Sequence, residues 1–156
     1  RCVTEELNRL IALCRRTREW VLVGFVDLDR FKQINDQFGH EAGDALLRAM
    51  AEQLRSGLRS SDMLARFGGD EFVMVGAGPL LDEDAEAVIR EMQLRLSKAS
   101  VARLQLADGR EIEYAGASVG MVCLMPDDTD VDDALQKADA AMYKVKAARQ
   151  RQPEVI

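Results

Sequence analysis

The sequence predicts an α/β (α+β) fold: a central, mostly antiparallel sheet flanked by helices. Three observations carry that prediction. Val21-Leu22-Val23-Gly24-Phe25-Val26 is an unbroken run rich in apolar β-formers, the pattern of a strand covered on both faces. Gly68-Gly69 and Asp108-Gly109 each stand between strand-like runs, and a hairpin turn makes its two strands antiparallel. Other stretches repeat apolar residues at helical spacing and supply the covering layers.

In chain order, Leu7, Leu10, Ile11 and Cys14 stripe an opening helix that ends near Arg15, Arg16 and Arg18, a basic cluster expected to be a solvated helix end. The strand from Val21 delivers Asp27-Leu28-Asp29 at its C-terminal end. A short helix then runs to Gly39, and a longer one carries Leu46, Met50, Leu54 and Leu58 on one face. Asn35, His40 and Asp44 crowd the corner between them; taken alone, a lone histidine at a corner is a capping or packing residue. After Arg59-Ser60-Ser61-Asp62 comes the Gly-Gly hairpin, with Phe72 to Val75 as its second strand. Asp82 to Ser97 form a helix striped by Ala85, Val88, Ile89, Met92 and Leu96, with Arg90 on another face. Val101 to Leu106 and Glu111 to Ala115 flank the Asp108-Gly109 turn, and Ser118 to Leu124 is a further strand, ended by Pro126. Thr129 or Asp130 caps a last helix striped by Val131, Leu135, Ala138, Met142 and Val145.

A chain of 156 residues is expected to be one domain, residues 1–156, with enough interior to fold without disulfides or a structural metal. Its 47% hydrophobic and 31% charged content is that of a globular protein. A net charge of −6 argues against general nucleic-acid binding, which needs a basic face. Cys2, Cys14 and Cys123, odd in number and widely spaced, are expected to be reduced core thiols of a cytosolic protein. The longest apolar run is too short to span a bilayer and no signal-peptide pattern precedes it, so no direct membrane insertion of this segment is expected.

The chemistry concentrates in two acidic pairs. Asp70 and Glu71 stand side by side at a hairpin tip, where two carboxylates repel unless a cation sits beside them; a hard divalent metal is the natural counter-charge. Gly68 and Gly69 are free to take positive φ and, lacking Cβ, let another group approach the backbone. Asp27 and Asp29, two apart on a strand, share a face where the strand leaves the sheet. Asp27 is the stronger ligand candidate and Asp29 the expected cap of the next helix. Solvated acids on an ordinary hairpin would account for Gly68 to Phe72 equally well.

Gly68-Gly69-Asp70-Glu71-Phe72 spells the motif that names the GGDEF family of diguanylate cyclases, and the resemblance covers nearly the whole chain. Asp27 to Asp36, with Phe38-Gly39-His40 and Gly43-Asp44, resembles a second family motif in order and spacing; Ser118-Val119-Gly120 and Ala138 to Lys146 resemble two later ones. The resemblance implies a fold like the palm of nucleotide cyclases and polymerases, and condensation of two GTP to cyclic di-GMP with release of two pyrophosphates. It implies two Mg²⁺ or Mn²⁺ ions per active site, held by Asp27, the backbone carbonyl of Leu28 and Asp70, with Glu71 completing the cluster. Asp70 falls at the position of the group that accepts the 3′-hydroxyl proton. Asn35 and Asp44 match guanine-reading positions, His40 a substrate-side position, and Lys32 and Lys146 the lysines at the triphosphate. Phe31 and Leu28 would line that pocket, beside Gly68 and Gly69.

One domain would hold one GTP, so the resemblance also implies a homodimer with two sites face to face. No strong dimer interface is visible in the sequence; the expectation is a segment excised from a larger signalling protein, with an N-terminal sensory or dimerising domain. In the family's opening segment, Asp-x-Leu-Thr-x-Leu-x-Asn-Arg, Arg1 would be the last residue. Arg59 and Asp62, followed by Met63 to Phe67 and then Gly68, resemble the family's Arg-x-x-Asp site for inhibitory product, with Arg90 as the second arginine from a partner domain. Without the family, that pair would be a weak surface ion pair. One departure stands out: Gln150 holds the position of a phosphate-facing arginine, with Arg149 and Arg151 beside it. The alternative to an enzyme is a non-catalytic GGDEF module that binds GTP or cyclic di-GMP and regulates a partner domain; the retained Asp27, Asn35, Asp44, Asp70 and Glu71 weigh against it. The expected location is the cytoplasm, whether free or as the cytoplasmic domain of a larger, membrane-bound protein.

Overall fold

The computed structural model describes residues 2–151; Arg1, read above as the end of a family segment, lies outside them. In order, the elements are α1 (Val3–Thr17), β1 (Glu19–Leu28), α2 (Phe31–Phe38), α3 (His40–Ser56), β2 (Met63–Arg66), β3 (Glu71–Leu80), α4 (Ala85–Ala99), β4 (Ala102–Gln105), β5 (Glu111–Tyr114), β6 (Ala117–Leu124), a 3-10 turn (Pro126–Asp128) and α5 (Val131–Arg151). The main sheet has four strands in the order β2-β3-β1-β6, every pair antiparallel, and β4-β5 is a separate ribbon.

The unbroken apolar run of β1 has the predicted cause. Leu22, Val26 and Leu28 face α3 and α4, packing with Leu46, Met50, Leu54, Met92 and Leu96. Val21, Val23 and Phe25 face α1 and α5, packing with Leu7, Leu10, Cys14, Ala138 and Met142. Side chains alternate along a strand, so a central strand covered on both sides must be apolar at every position until it reaches an end. At that end stands Asp27.

Several local expectations are corrected. The basic end of α1 is not merely solvated: Arg15 Nε donates to the Pro126 carbonyl at 2.9 Å, and Arg18 pairs with Asp127 at 3.0 Å, tying α1 to the turn that leads into α5. Helix α4 starts at Ala85 rather than Asp82, because the Asp84 side chain accepts from the backbone N–H groups of Glu86 and Ala87. Leu58 lies beyond the end of α3 and packs against the core from the following loop. The β4-β5 turn has three residues, not two: Leu106 and Arg110 still pair across it, and Gly109 takes φ 89°. Cys2 is exposed, while Cys14 is buried and Cys123 half-buried; all three are free thiols.

Asp130 accepts from the backbone of Asp133 at 2.8 Å and caps α5, while Thr129 donates to the Asp133 carboxylate. The depth of α5 on the sheet is set by Gly120: a Cβ there would lie 2.0 Å from the Met142 nitrogen, so only glycine lets the helix lie directly on β6. Among the described residues no helix is long and apolar enough to cross a membrane.

Candidate active site at the end of the sheet

Strand register gathers the acidic residues. Asp27 stands opposite Glu71 on β3 and opposite Ser118 on β6. The hairpin tip folds back onto β1, where the Leu28 N–H donates to the Asp70 carbonyl at 2.9 Å. Arg66 braces the tip from outside, donating to the carbonyls of Gly68 (3.2 Å) and Gly69 (2.8 Å). Neither Gly68 nor Gly69 takes positive φ, contrary to expectation; the glycines that do are Gly39, Gly109 and Gly116. Space is what these positions need. A Cβ on Gly68 would lie 2.9 Å from Glu71 Oε2, whereas one on Gly69 meets nothing within 4 Å, leaving that backbone open to a ligand.

The cluster carries more negative charge than it neutralises. Lys146, delivered by α5 over Gly120, places Nζ 2.7 Å from Asp27 Oδ2. The other oxygen, Asp27 Oδ1, is buried and has no hydrogen-bond partner. Burial first, and the Asp27 charge second, push the Asp70 carboxyl above its ordinary pKa. Glu71 is raised by burial first, then by Asp27, Asp70 and Asp139. Lys146 is held above the usual lysine value chiefly by its bond to Asp27.

A buried lone acceptor beside two strained carboxylates fits a hard divalent cation. Among the described residues no three His, Cys, Asp or Glu side chains form a closed metal cage.

Asp29 does not cap α2. The capping position is Arg30, with φ 60°, and the Asp29 carboxylate instead accepts from Ser118 Oγ (2.7 Å) and pairs with Arg149 Nε (2.8 Å). Its backbone carbonyl accepts from the hydroxyl of Tyr114, which burial pushes well above the ordinary tyrosine range. Ser118, Tyr114 and Arg149 thus fix the link between β1 and α2, a role that no local pattern signalled. Arg149 is committed to Asp29, and Gln150 and Arg151 are exposed.

The α2–α3 corner carries the remaining predicted residues. Phe31 and Ile34 lean on the core, Lys32, His40 and Asp44 are exposed, and Asn35 is half-buried. Asn35 lies against α3 so closely that a Cβ on Gly43 would be 1.9 Å from its Oδ1, which explains the glycine next to Asp44.

Arg59 and Asp62 form a built pair, not a loose surface contact. The Asp62 side chain is fully enclosed, and its oxygens accept from Arg59 N (2.9 Å), Nε (3.2 Å) and Nη2 (2.9 Å). Arg59 also donates to the Ala77 carbonyl, and Arg55 holds the Asp62 and Arg59 carbonyls at 2.6 Å each. Gly76 makes room, since a Cβ there would lie 2.2 Å from Asp62 Oδ1. Asp62 therefore orients Arg59, whose side chain is 51% exposed. Arg90 is exposed on α4.

The four-stranded antiparallel sheet flanked by helices presents Asp27, Asp70 and Glu71 at one end, with Lys146 of α5 against Asp27. The family profile described as diguanylate cyclase, GGDEF domain, matches residues 1–152, and the chain belongs to that family. It is 37% identical over 155 residues to diguanylate cyclase DgcP of Escherichia coli, covering 99% of this chain and 44% of that protein. The chain thus spans less than half the length of that relative. Among solved structures it resembles a sensory box/GGDEF family protein from Caulobacter crescentus, with TM-score 0.82, 36% identity, and 93% and 90% of the two chains covered. It also resembles the GGDEF domain of DgcB from the same organism, solved in complex with c-di-GMP, with TM-score 0.76, 26% identity, and 92% and 82% covered.

Proposed function

We propose that residues 1–156 are a single GGDEF domain of a longer signalling protein and that it is a diguanylate cyclase, condensing two GTP to cyclic di-GMP and two pyrophosphates. The observation that carries this reading is the unpartnered, buried Asp27 Oδ1 between Lys146 and the two raised carboxyls of Asp70 and Glu71. Asp27, the Leu28 carbonyl, Asp70 and Glu71 would hold two Mg²⁺ or Mn²⁺ ions, which supply charge neutralisation at the triphosphate and acidify the attacking 3′-hydroxyl. Asp70 stands where the 3′-hydroxyl proton would be accepted, but a carboxylate beside a divalent ion is a weak base, so metal activation of the hydroxyl would be the larger contribution. Lys146 keeps its proton and faces the phosphates as a fixed cation. Lys32 and Phe31 complete the triphosphate pocket, Gly68 leaves room for the Glu71 carboxylate, the open backbone at Gly69 admits the nucleotide, and Asn35, His40 and Asp44 take the guanosine.

Joining the 3′-oxygen of one GTP to the α-phosphorus of another requires two domains in a twofold dimer, supplied by an adjoining dimerising or sensory segment. Product inhibition would run through Arg59 and Arg90, which can grip guanine edges or phosphates bidentately, with Asp62 holding Arg59 in place. The test is to fuse the domain to a dimerising coiled coil, add GTP and Mg²⁺, and look for cyclic di-GMP by mass. Product formation that rises with dimerisation is expected; GTP binding without any product would favour the non-catalytic module.

A further inference from the structure

The β4-β5 hairpin holds the Asp29 carbonyl through Tyr114, and its tip touches the corner that carries Asn35 and Asp44. Arg110 Nη2 donates to the Phe38 carbonyl at 3.2 Å, and its guanidinium lies 5.4 Å from the centre of the Phe38 ring. The guanidinium is fixed from its own side: Asp108 accepts from Arg110 Nε at 2.7 Å and from the Arg110 backbone at 3.0 Å. Phe38 is the last residue of α2, where carbonyls lack intrahelical donors and the helix dipole is negative. A hairpin from far along the chain therefore caps α2 with a cation.

Just beyond that contact the chain turns from α2 into α3 at Gly39. Gly39 has φ 95°, and a Cβ built on it would meet nothing within 4 Å. Three backbone hydrogen bonds of the corner run through this glycine. Its N–H donates to the Asn35 carbonyl at 2.9 Å, and its own carbonyl accepts from Ala42 (3.1 Å) and Gly43 (3.2 Å). Asn35 in turn rests on Gly43, next to Asp44.

We infer that Arg110, held by Asp108, is a positioning residue for nucleobase selection: by anchoring the end of α2 it fixes the Gly39 turn and hence the spacing of Asn35 from Asp44. This rests on the proposal that the corner takes guanine. A carboxylate there accepts from the exocyclic amine of guanine, which inosine lacks, so a corner of fixed geometry prefers GTP to ITP. A loosened corner loses that preference and weakens GTP binding, while the reacting groups at the sheet end are untouched.

The test uses the dimerised domain with Mg²⁺, comparing wild type, Arg110→Ala, Arg110→Lys and Asp108→Asn. Arg110→Ala should raise KM for GTP about three- to tenfold and lower the GTP-over-ITP preference by a similar factor. Its kcat should stay within about twofold, because the interaction removed is one of binding and not of the chemical step. Amide hydrogen exchange at Gly39, Ala42 and Gly43 should quicken. Arg110→Lys should recover part of the loss and Asp108→Asn should show a smaller one. Unchanged exchange at the corner, or equal KM increases for GTP and ITP, would overturn the inference while wild-type activity stands. A wild-type dimer that binds no GTP would instead overturn the function on which it rests.

Discussion

Asp27 and Asp62 are buried to almost the same degree, 6% and 4% exposed, and both pack beside β3, yet they are finished differently. Both carboxylate oxygens of Asp62 are taken: Arg59 wraps them with its backbone N–H and two guanidinium nitrogens, and Gly76 gives room. Asp27 has one oxygen on Lys146 and the other on nothing. A buried acceptor without a donor costs free energy in the resting protein, so the fold tolerates at Asp27 what it has eliminated at Asp62. Burial alone does not distinguish the two acids; the unpartnered oxygen of Asp27 does.

The sharpest way to break this comparison is to neutralise the unfinished residue. Asp27→Asn should cut cyclic di-GMP synthesis by at least about a hundredfold, the scale of losing a fixed charge-stabilising group at a reacting centre. Its melting temperature should equal or exceed that of wild type, since like-charge repulsion from Asp70 and Glu71 is relieved. Assay and thermal melt on the same preparation check both halves.

At the finished site the signs reverse. Arg59→Ala strands a buried carboxylate and should destabilise by about 3 kcal/mol. Asp62→Ala, which leaves only a half-exposed guanidinium behind, should cost less, about 1–3 kcal/mol. The double variant should be more stable than Arg59→Ala alone. Denaturant titration of the three decides it, and strict additivity would break the picture of one coupled pair.

A third, smaller effect separates the sites by pH. Asp70 has its folded pKa raised above the ordinary 3.8. Below that value both folded and unfolded chains carry the proton and nothing is lost; as pH rises through it, the unfolded chain ionises first and the fold loses stability until the folded value is passed. Wild type should therefore fall behind Asp70→Asn as pH climbs from 3.8, with no widening of the gap once the folded value is passed. The smallest expected change is Gln150→Arg. A new guanidinium near the triphosphate should lower KM for GTP by about threefold, because Arg149 is already engaged with Asp29.

Much of this was legible in the sequence, and the reasons for the rest are physical. The apolar run of β1 could only be a strand covered on both faces, and the acidic pairs at 27 and at 70–71 announced where charge would gather. What local patterns miss is the long-range partner. Asp29 reads as a helix cap, but Ser118 and Arg149 reach it from β6 and α5 and win. Arg15 and Arg18 are exposed as read, but they also bond to Pro126 and Asp127, partners that the local pattern does not name. Lys146 meets Asp27 only because Gly120 lets α5 sit close to the sheet, a dependence that no spacing rule reveals. Of the two roles read for Gly68 and Gly69, positive φ and clearance, the structure uses clearance, while Arg66 shapes the tip.

The central claim is that the unpartnered oxygen of Asp27 is a cation ligand completed by nucleotide. Its most direct test is the binding of Mn²⁺, followed by electron paramagnetic resonance, in the presence of a non-hydrolysable GTP analogue. Wild type and Asp62→Asn should bind the ion alike, and Asp27→Asn should bind it at least about tenfold more weakly, a loss of roughly 1.4 kcal/mol. Equal binding by wild type and Asp27→Asn would contradict the claim.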